Sequence, residues 1–414
     1  MPRKSLNCRI KGVTFTIVMA AILLYAAGAA ICFGGASAAS PGAEAPHTTV
    51  KGSQSSPLQP AKYLGAVSCA SSGCHGGGGQ HQNQFLVWSL RDFHSQRPFA
   101  TLTTARSKQI ADALRIKDPA IDNRCTSCHA PLHDVPSALR DSGFRVGEAV
   151  SCESCHGPAE HWLRSHTRPD YTHADRVAAG MRDLKNLYVR ANACIACHQT
   201  VAQPILKAGH PELIFELDGQ CVSQPKHWRE KTNWHGAQAW LVGQAAALRE
   251  MCWELSEGTT GTSRPASDEK LIARADALLW LLQKLDTASQ GVPKLSPARV
   301  EGLNKKPSYS ELQAAADKLA RSAADISWST EMTSSILVTL ARAAPDFRKE
   351  LPALQQALRA ERLVLALDRL LASSPRPTAE AELDELFKLT QSVPDFDPAR
   401  FGGALEKLAR SLDR

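Results

Sequence analysis

Eight cysteines fall into four pairs, and a histidine follows each pair at once. They are Cys69 and Cys74 before His75, Cys125 and Cys128 before His129, Cys152 and Cys155 before His156, and Cys194 and Cys197 before His198. The last three read C-x-x-C-H. With 12 cysteines and 14 histidines in 414 residues, chance predicts on the order of 0.01 such strings. The chemistry that needs this pattern is covalent haem attachment. Two thiols add to the two vinyl groups of one haem, and the imidazole that follows becomes the proximal iron ligand. The first pair has two extra residues, C-x4-C-H. Ser71, Ser72 and Gly73 are small enough for the longer loop to bulge, so this reads as a fourth haem site. Structural zinc, a thioredoxin-like pair or a disulfide framework each use paired cysteines, but none explains a histidine after every second one.

The sixth ligands must come from elsewhere. All fourteen histidines lie at or before His235. Setting aside the four proximal ones and His47 leaves His81, His94, His133, His161, His166, His173, His210, His227 and His235. Outside the N-terminal segment methionine is confined to Met181, Met251 and Met332, so mostly bis-histidine irons are expected, with lower potentials than Met/His haems. His94, His161, His166 and His210 are the favoured distal ligands, with His133, His173 and His235 as weaker candidates. Pro211 keeps His210 out of a helix, in a loop able to turn inward. Whether one iron stays five-coordinate is open.

Residues 63–250 resemble the multihaem family around the tetrahaem cytochrome c-554. The resemblance rests on Gly65-Ala-Val-Ser-Cys69, on Trp88 to His94, on Val150-Ser-Cys152-Glu-Ser-Cys155-His156-Gly157-Pro158, on Gly209-His210-Pro211-Glu212-Leu213 with Phe215-Glu216, and on Ala239-Trp240 with Gly243-Gln244. It implies a mainly α fold wrapped on stacked haem pairs, and electron transfer as the activity. It also implies that one haem can lack a distal ligand. The C-x4-C-H site and the long C-terminal half depart from the family pattern.

The elements that must position these residues divide the chain. Residues 1–39, with Arg3, Lys4, Arg9 and Lys11 before an apolar run, read as a signal peptide or an N-terminal membrane anchor. Residues 40–62, rich in Pro, Ser, Gly and Ala, read as a flexible linker. A tetrahaem domain of short helices and loops is expected over 63–235. Aromatics are only 6% of the chain, as expected if porphyrin fills much of that core. From 236 to 414 the texture changes to Ala/Leu-rich helices, expected at Ala237–Glu254, Ser267–Asp286, Ser308–Ser327, Phe347–Ala372, Thr378–Gln391 and Pro398–Leu412, and packed as a helical bundle. Ser308 and Glu311 make a capping box. Cys221 and Cys252 stand outside the haem motifs and are open to a disulfide in an oxidising compartment.

Charge narrows the partners. Removing the four basic residues of the leader from the formal +7 leaves +3, and four ferric haems at about −1 each bring the total near −1. With no basic cluster interleaved with aromatics, nucleic acid is not an expected partner. The expected function is a periplasmic electron carrier with four covalent haems c, either soluble or tethered to the inner membrane by its N-terminal segment. Its partners would be a redox donor and acceptor, among them a membrane respiratory complex. The alternative is a reductase or oxidase of a small nitrogen or sulfur compound at one open iron.

Overall fold

The computed structural model describes residues 60–79, 82–95, 97–230, 234–257, 267–288, 291–295, 309–374 and 379–413. The expected leader, most of the linker, His81 and the Ser308 cap lie outside the described residues. Within them the chain is mainly α: sixteen α-helices, and no strand beyond an isolated bridge between Tyr63 and Arg140. Residues 61–414 form one compact unit. No helix among the described residues is long and apolar enough to cross a membrane.

Helix length changes sharply along the chain. Up to residue 223, most helices span five to nine residues; Leu187–His198 is the exception at 12. Beyond it come Gly236–Glu257, Ser267–Lys284, Tyr309–Asp325, Thr330–Ala341, Ala353–Ala372, Glu380–Leu389 and Pro398–Leu412. The long helices share one continuous apolar core that starts at Leu187. Gly236–Glu257 lies at its centre, with Trp240, Leu241, Leu248 and Met251 wholly buried. Gly243 lets this helix pass close to the segment Leu217–Ser223, since a Cβ there would stand 2.8 Å from that of Leu217. The buried residues before Leu187, such as Val87, Phe144 and Trp162, lie outside that core.

Leu187–His198 connects the two textures. Asn186 caps it by accepting from the Tyr188 and Val189 amides at 2.9 and 3.2 Å. Leu187, Ala191 and Ile195 enter the long-helix core, while Cys194, Cys197 and His198 end the same helix. Arg249 clamps it by donating to Asn192 Oδ1 at 2.6 Å and to Asp317 at 2.8 Å, the carboxylate that also accepts from Tyr188 Oη at 2.7 Å.

Two elements differ from expectation, and one ends just short of a candidate ligand. The helix Gln84–Arg91 contains Trp88 but not His94. It stops because Asp92 turns extended and caps the His94 amide with its own carboxylate at 2.9 Å. The helix expected from Phe347 starts at Ala353. Pro352 sits at its N-cap, and a 3₁₀ turn, Ala344–Arg348, aims Phe347 at Phe401, 4.6 Å between ring centres. Thr330–Ala341 was not expected at all. Its threonines, serines and β-branched residues are weak helix formers, but burial of Ile336, Leu337 and Leu340 and the Ser329 cap outweigh that. Cys221 and Cys252 are both free and buried, with no bond between them. Cys221 faces the Arg190 guanidinium at 3.9 Å, whereas burial alone pushes the Cys252 thiol up to about 12.

Candidate functional site

Three of the four motifs end a helix. Asn123–His129, Cys152–His156 and Leu187–His198 each close on the motif histidine. On a helix, cysteines three apart share a face, so both thiols can meet one flat group while the next residue points beneath it. Gly157, with φ of 83°, ends the second of these helices, and Arg182 donates to the Ser154 and Cys155 carbonyls at 2.7 and 2.8 Å. That arrangement suits a helix C-terminus, where carbonyls lack internal partners. The first motif is not helical. Cys69 ends a short 3₁₀ turn, and a tight loop follows in which the Cys74 amide donates to Ser71 and the His75 amide to Cys69, at 2.9 and 3.3 Å. A side chain on Gly76 would collide with the Ala70 carbonyl.

Long-range bonds bring the motifs together. Glu153, inside the third motif and 1% exposed, accepts from the amides of Leu64, Gly65 and Ala159 at 3.0, 2.8 and 2.8 Å. It ties that motif to the lead-in of the first. Trp88 Nε1 donates to the Val150 carbonyl at 3.0 Å, and the Val150 amide to that of His94 at 3.0 Å. The thiols of Cys69 and Cys152 act on each other, which lowers the first and raises the second. Cys128 and Cys197 do the same, bringing Cys128 down to about 7.

The histidines pair across the chain. His75 and His166 face each other with ring centres 6.0 Å apart and planes 24° apart. His94 and His198 stand 5.9 Å apart at 86°, and His129 and His210 6.4 Å apart at 87°. Two imidazoles on opposite sides of one iron, with bonds of about 2 Å and about 1 Å more to each ring centre, put their centres about 6 Å apart. All three separations match.

The ring nitrogens match too. Nδ1 of His75, His94, His129 and His210 lies 2.9, 3.0, 2.6 and 2.8 Å from Gln84 Oε1, Asp92 Oδ1, Pro98 O and Pro211 O. His166 Nδ1 bonds Leu163 O. An acceptor on Nδ1 fixes the tautomer and leaves the Nε2 lone pair for a metal. Burial lowers His156 and His198 to about 4, which keeps them in the neutral, ligating form.

Of the four favoured distal candidates, His94, His166 and His210 each meet a motif histidine. His133 turns Nδ1 to Asp134 at 2.7 Å, and His173 commits Nε2 to Asp183 at 2.9 Å. His227 was not favoured. Its ring is largely buried, its Nδ1 has no hydrogen-bond partner, and it is the charged group that acts most strongly on His156. Nothing in its local sequence, Lys226-His227-Trp228, marks it. Among the described residues no three His, Cys, Asp or Glu side chains form a group for a free metal ion; a haem iron needs at most two.

The family described as cytochrome c554 and c-prime matches residues 78–157. The match supports a c-type cytochrome family for this stretch. It contains the second motif and the third, together with His94. Such a cytochrome carries its haem covalently and serves haem-based electron transfer. No curated protein and no solved structure matches the chain.

Proposed function

We propose that this chain is a tetrahaem electron carrier of the periplasm, with a haem-bearing part over 63–235 and a helical part over 236–414. The observation that supports it most is the set of three cross-chain imidazole pairs, each at the separation of two axial ligands and each including one motif histidine. In this reading Cys69 and Cys74 hold one haem between His75 and His166. Cys125 and Cys128 hold a second between His129 and His210. Cys194 and Cys197 hold another between His198 and His94. Cys152 and Cys155 hold the remaining one on His156, with His227 as the candidate for its far side.

Each haem supplies a reversible one-electron couple. The chain's own residues do the rest. Thioethers fix the position of each group, Nδ1 acceptors hold each imidazole in one tautomer, and burial keeps the ligands neutral. The thiol contacts between Cys69 and Cys152, and between Cys128 and Cys197, support two close pairs of sites. No nucleophile or acid–base pair is needed in such a carrier. The apolar run in residues 1–39 supports export, and the long helices beyond 236 are the surface proposed to meet a membrane or periplasmic redox partner.

A second reading has one observation in its favour: among the described residues, His156 has no ring partner at the axial separation. A small nitrogen or sulfur compound would then react at that iron. Two measurements decide. Pyridine haemochrome analysis is expected to give four haems per chain; fewer refutes the assignment at Cys69, Cys74 and His75. The ferric protein is expected to be wholly low-spin and unreactive to cyanide or nitrite. A high-spin signal that cyanide abolishes selects the enzyme reading. His210→Ala is expected to turn about a quarter of the haem high-spin.

A further inference from the structure

The acceptors behind the paired histidines are not alike. His129, His166 and His210 turn Nδ1 to main-chain carbonyls, and His75 to the neutral Gln84 amide. His94 alone among them turns Nδ1 to a buried carboxylate, Asp92 Oδ1, at 3.0 Å. Asp92 is 4% exposed. Its Oδ1 also takes the His94 amide at 2.9 Å, and its Oδ2 accepts from Gln224 Nε2 at 2.7 Å. Among the described residues no lysine or arginine pairs with it; its ionic partner is His94. The same carboxylate ends the helix Gln84–Arg91 and sets where His94 stands.

A charged acceptor draws the Nδ1 proton more strongly than a carbonyl does. The ring gains imidazolate character, and its Nε2 becomes a stronger donor to a metal. A stronger donor favours the ferric state over the ferrous state, which lowers the reduction potential.

We propose that Asp92 is a positioning residue that orients His94 and lowers the potential of the iron between His94 and His198 below that of the other two histidine-paired irons. It rests on the reading above, that His94 and His198 share one iron. Electrons on the chain then settle away from this haem, so it is the first of the three to be oxidised. Gln224 opposes the effect. Its donated hydrogen bond spreads the carboxylate charge and weakens the pull on His94.

The test uses the full-length, haem-loaded protein and a spectroscopic redox titration. Asp92→Asn keeps an oxygen for His94 but removes the charge. The haem between His94 and His198 is expected to move to higher potential by a tenfold change in its ferric-to-ferrous ratio, about 59 mV for one electron, with the His75–His166 and His129–His210 haems unmoved. Gln224→Met removes the donor on Oδ2, and the same haem is expected to move lower. Opposite signs separate tuning from loosening of the site, and Gln224→Met alone suffices if Asp92→Asn fails to fold. Unmoved potentials, or shifts of one sign in both variants, overturn the proposal. His94→Ala distinguishes failure of the axial reading. A spectrum that stays wholly low-spin in that variant refutes the shared iron. A new high-spin signal there, with potentials unmoved in the other two variants, refutes the tuning alone.

Discussion

The three imidazole pairs differ in orientation as well as in their acceptors. His75 and His166 lie 24° from parallel, whereas His94 and His198, and His129 and His210, cross at 86° and 87°. Aligned rings act on the same iron d orbital and split the pair. Crossed rings act on one each and leave them nearly degenerate. The ferric protein is therefore expected to show a rhombic low-spin electron paramagnetic resonance signal from the site of Cys69 and Cys74, and steep, single large-g features from the two crossed sites. His166→Ala is expected to remove the rhombic signal first; loss of a large-g feature instead would reassign the pair. On the proposed reading, much at this scale is legible in the sequence. The cysteines and motif histidines follow from spacing alone, and His94, His166 and His210, which meet motif histidines, stood among the favoured candidates. That His166 is a ring that reaches His75 was not legible, because it depends on the turn after Trp162.

At the scale of elements, a polar cluster sits where the segment Glu216–Ser223 meets the helices Gly236–Glu257 and Ala353–Ala372. Glu216 and Arg362 approach to 3.6 Å, and Gln244 and Arg362 are almost wholly buried. Burial raises Glu216 from 4.5 to about 7, with Arg362, Gln244 and Arg369 pulling the other way. The folded chain thus binds this proton more tightly than the unfolded one. Between pH 4.5 and about 7 stability falls as pH rises, by about 3 kcal/mol from this group. Glu216→Gln is expected to flatten that slope and to stabilise the protein above pH 7, read as urea midpoints from pH 4 to 8. An unchanged slope would mean that the side chain is hydrated. The helices themselves were mostly legible from apolar spacing and prolines. Pro398–Leu412 has its expected bounds, since Asp397 caps it and Pro398 starts it. Thr330–Ala341 was hidden because its residues favour other conformations until Ile336 and Leu340 are buried.

Across the whole molecule the apolar core is lopsided. It begins at Leu187 and fills the long helices, whereas buried residues before it are scattered among short turns. A region of this length without its own core needs a cofactor or another covalent staple to order it. Replacing all eight motif cysteines with serine is therefore expected to leave the helices beyond 236 protected in hydrogen exchange. Amides over 63–180 are expected to lose protection at least tenfold. Equal protection in both halves would show that side chains alone suffice. The family match over residues 78–157 falls within the region that lacks this core.

By itself the sequence carries the proposed attachment chemistry, because two thioethers and a proximal ligand must be close in the chain and their spacing is local. It also determined the mainly α class, through apolar periodicity and helix-breaking prolines. Only the tertiary structure decided which distant histidine faces which motif, that His94 rests on the buried Asp92, and that His227 lies beside His156. The histidine pairings join residues from about 70 to more than 100 positions apart, and no local pattern encodes a contact that forms only once separate turns and helices pack together.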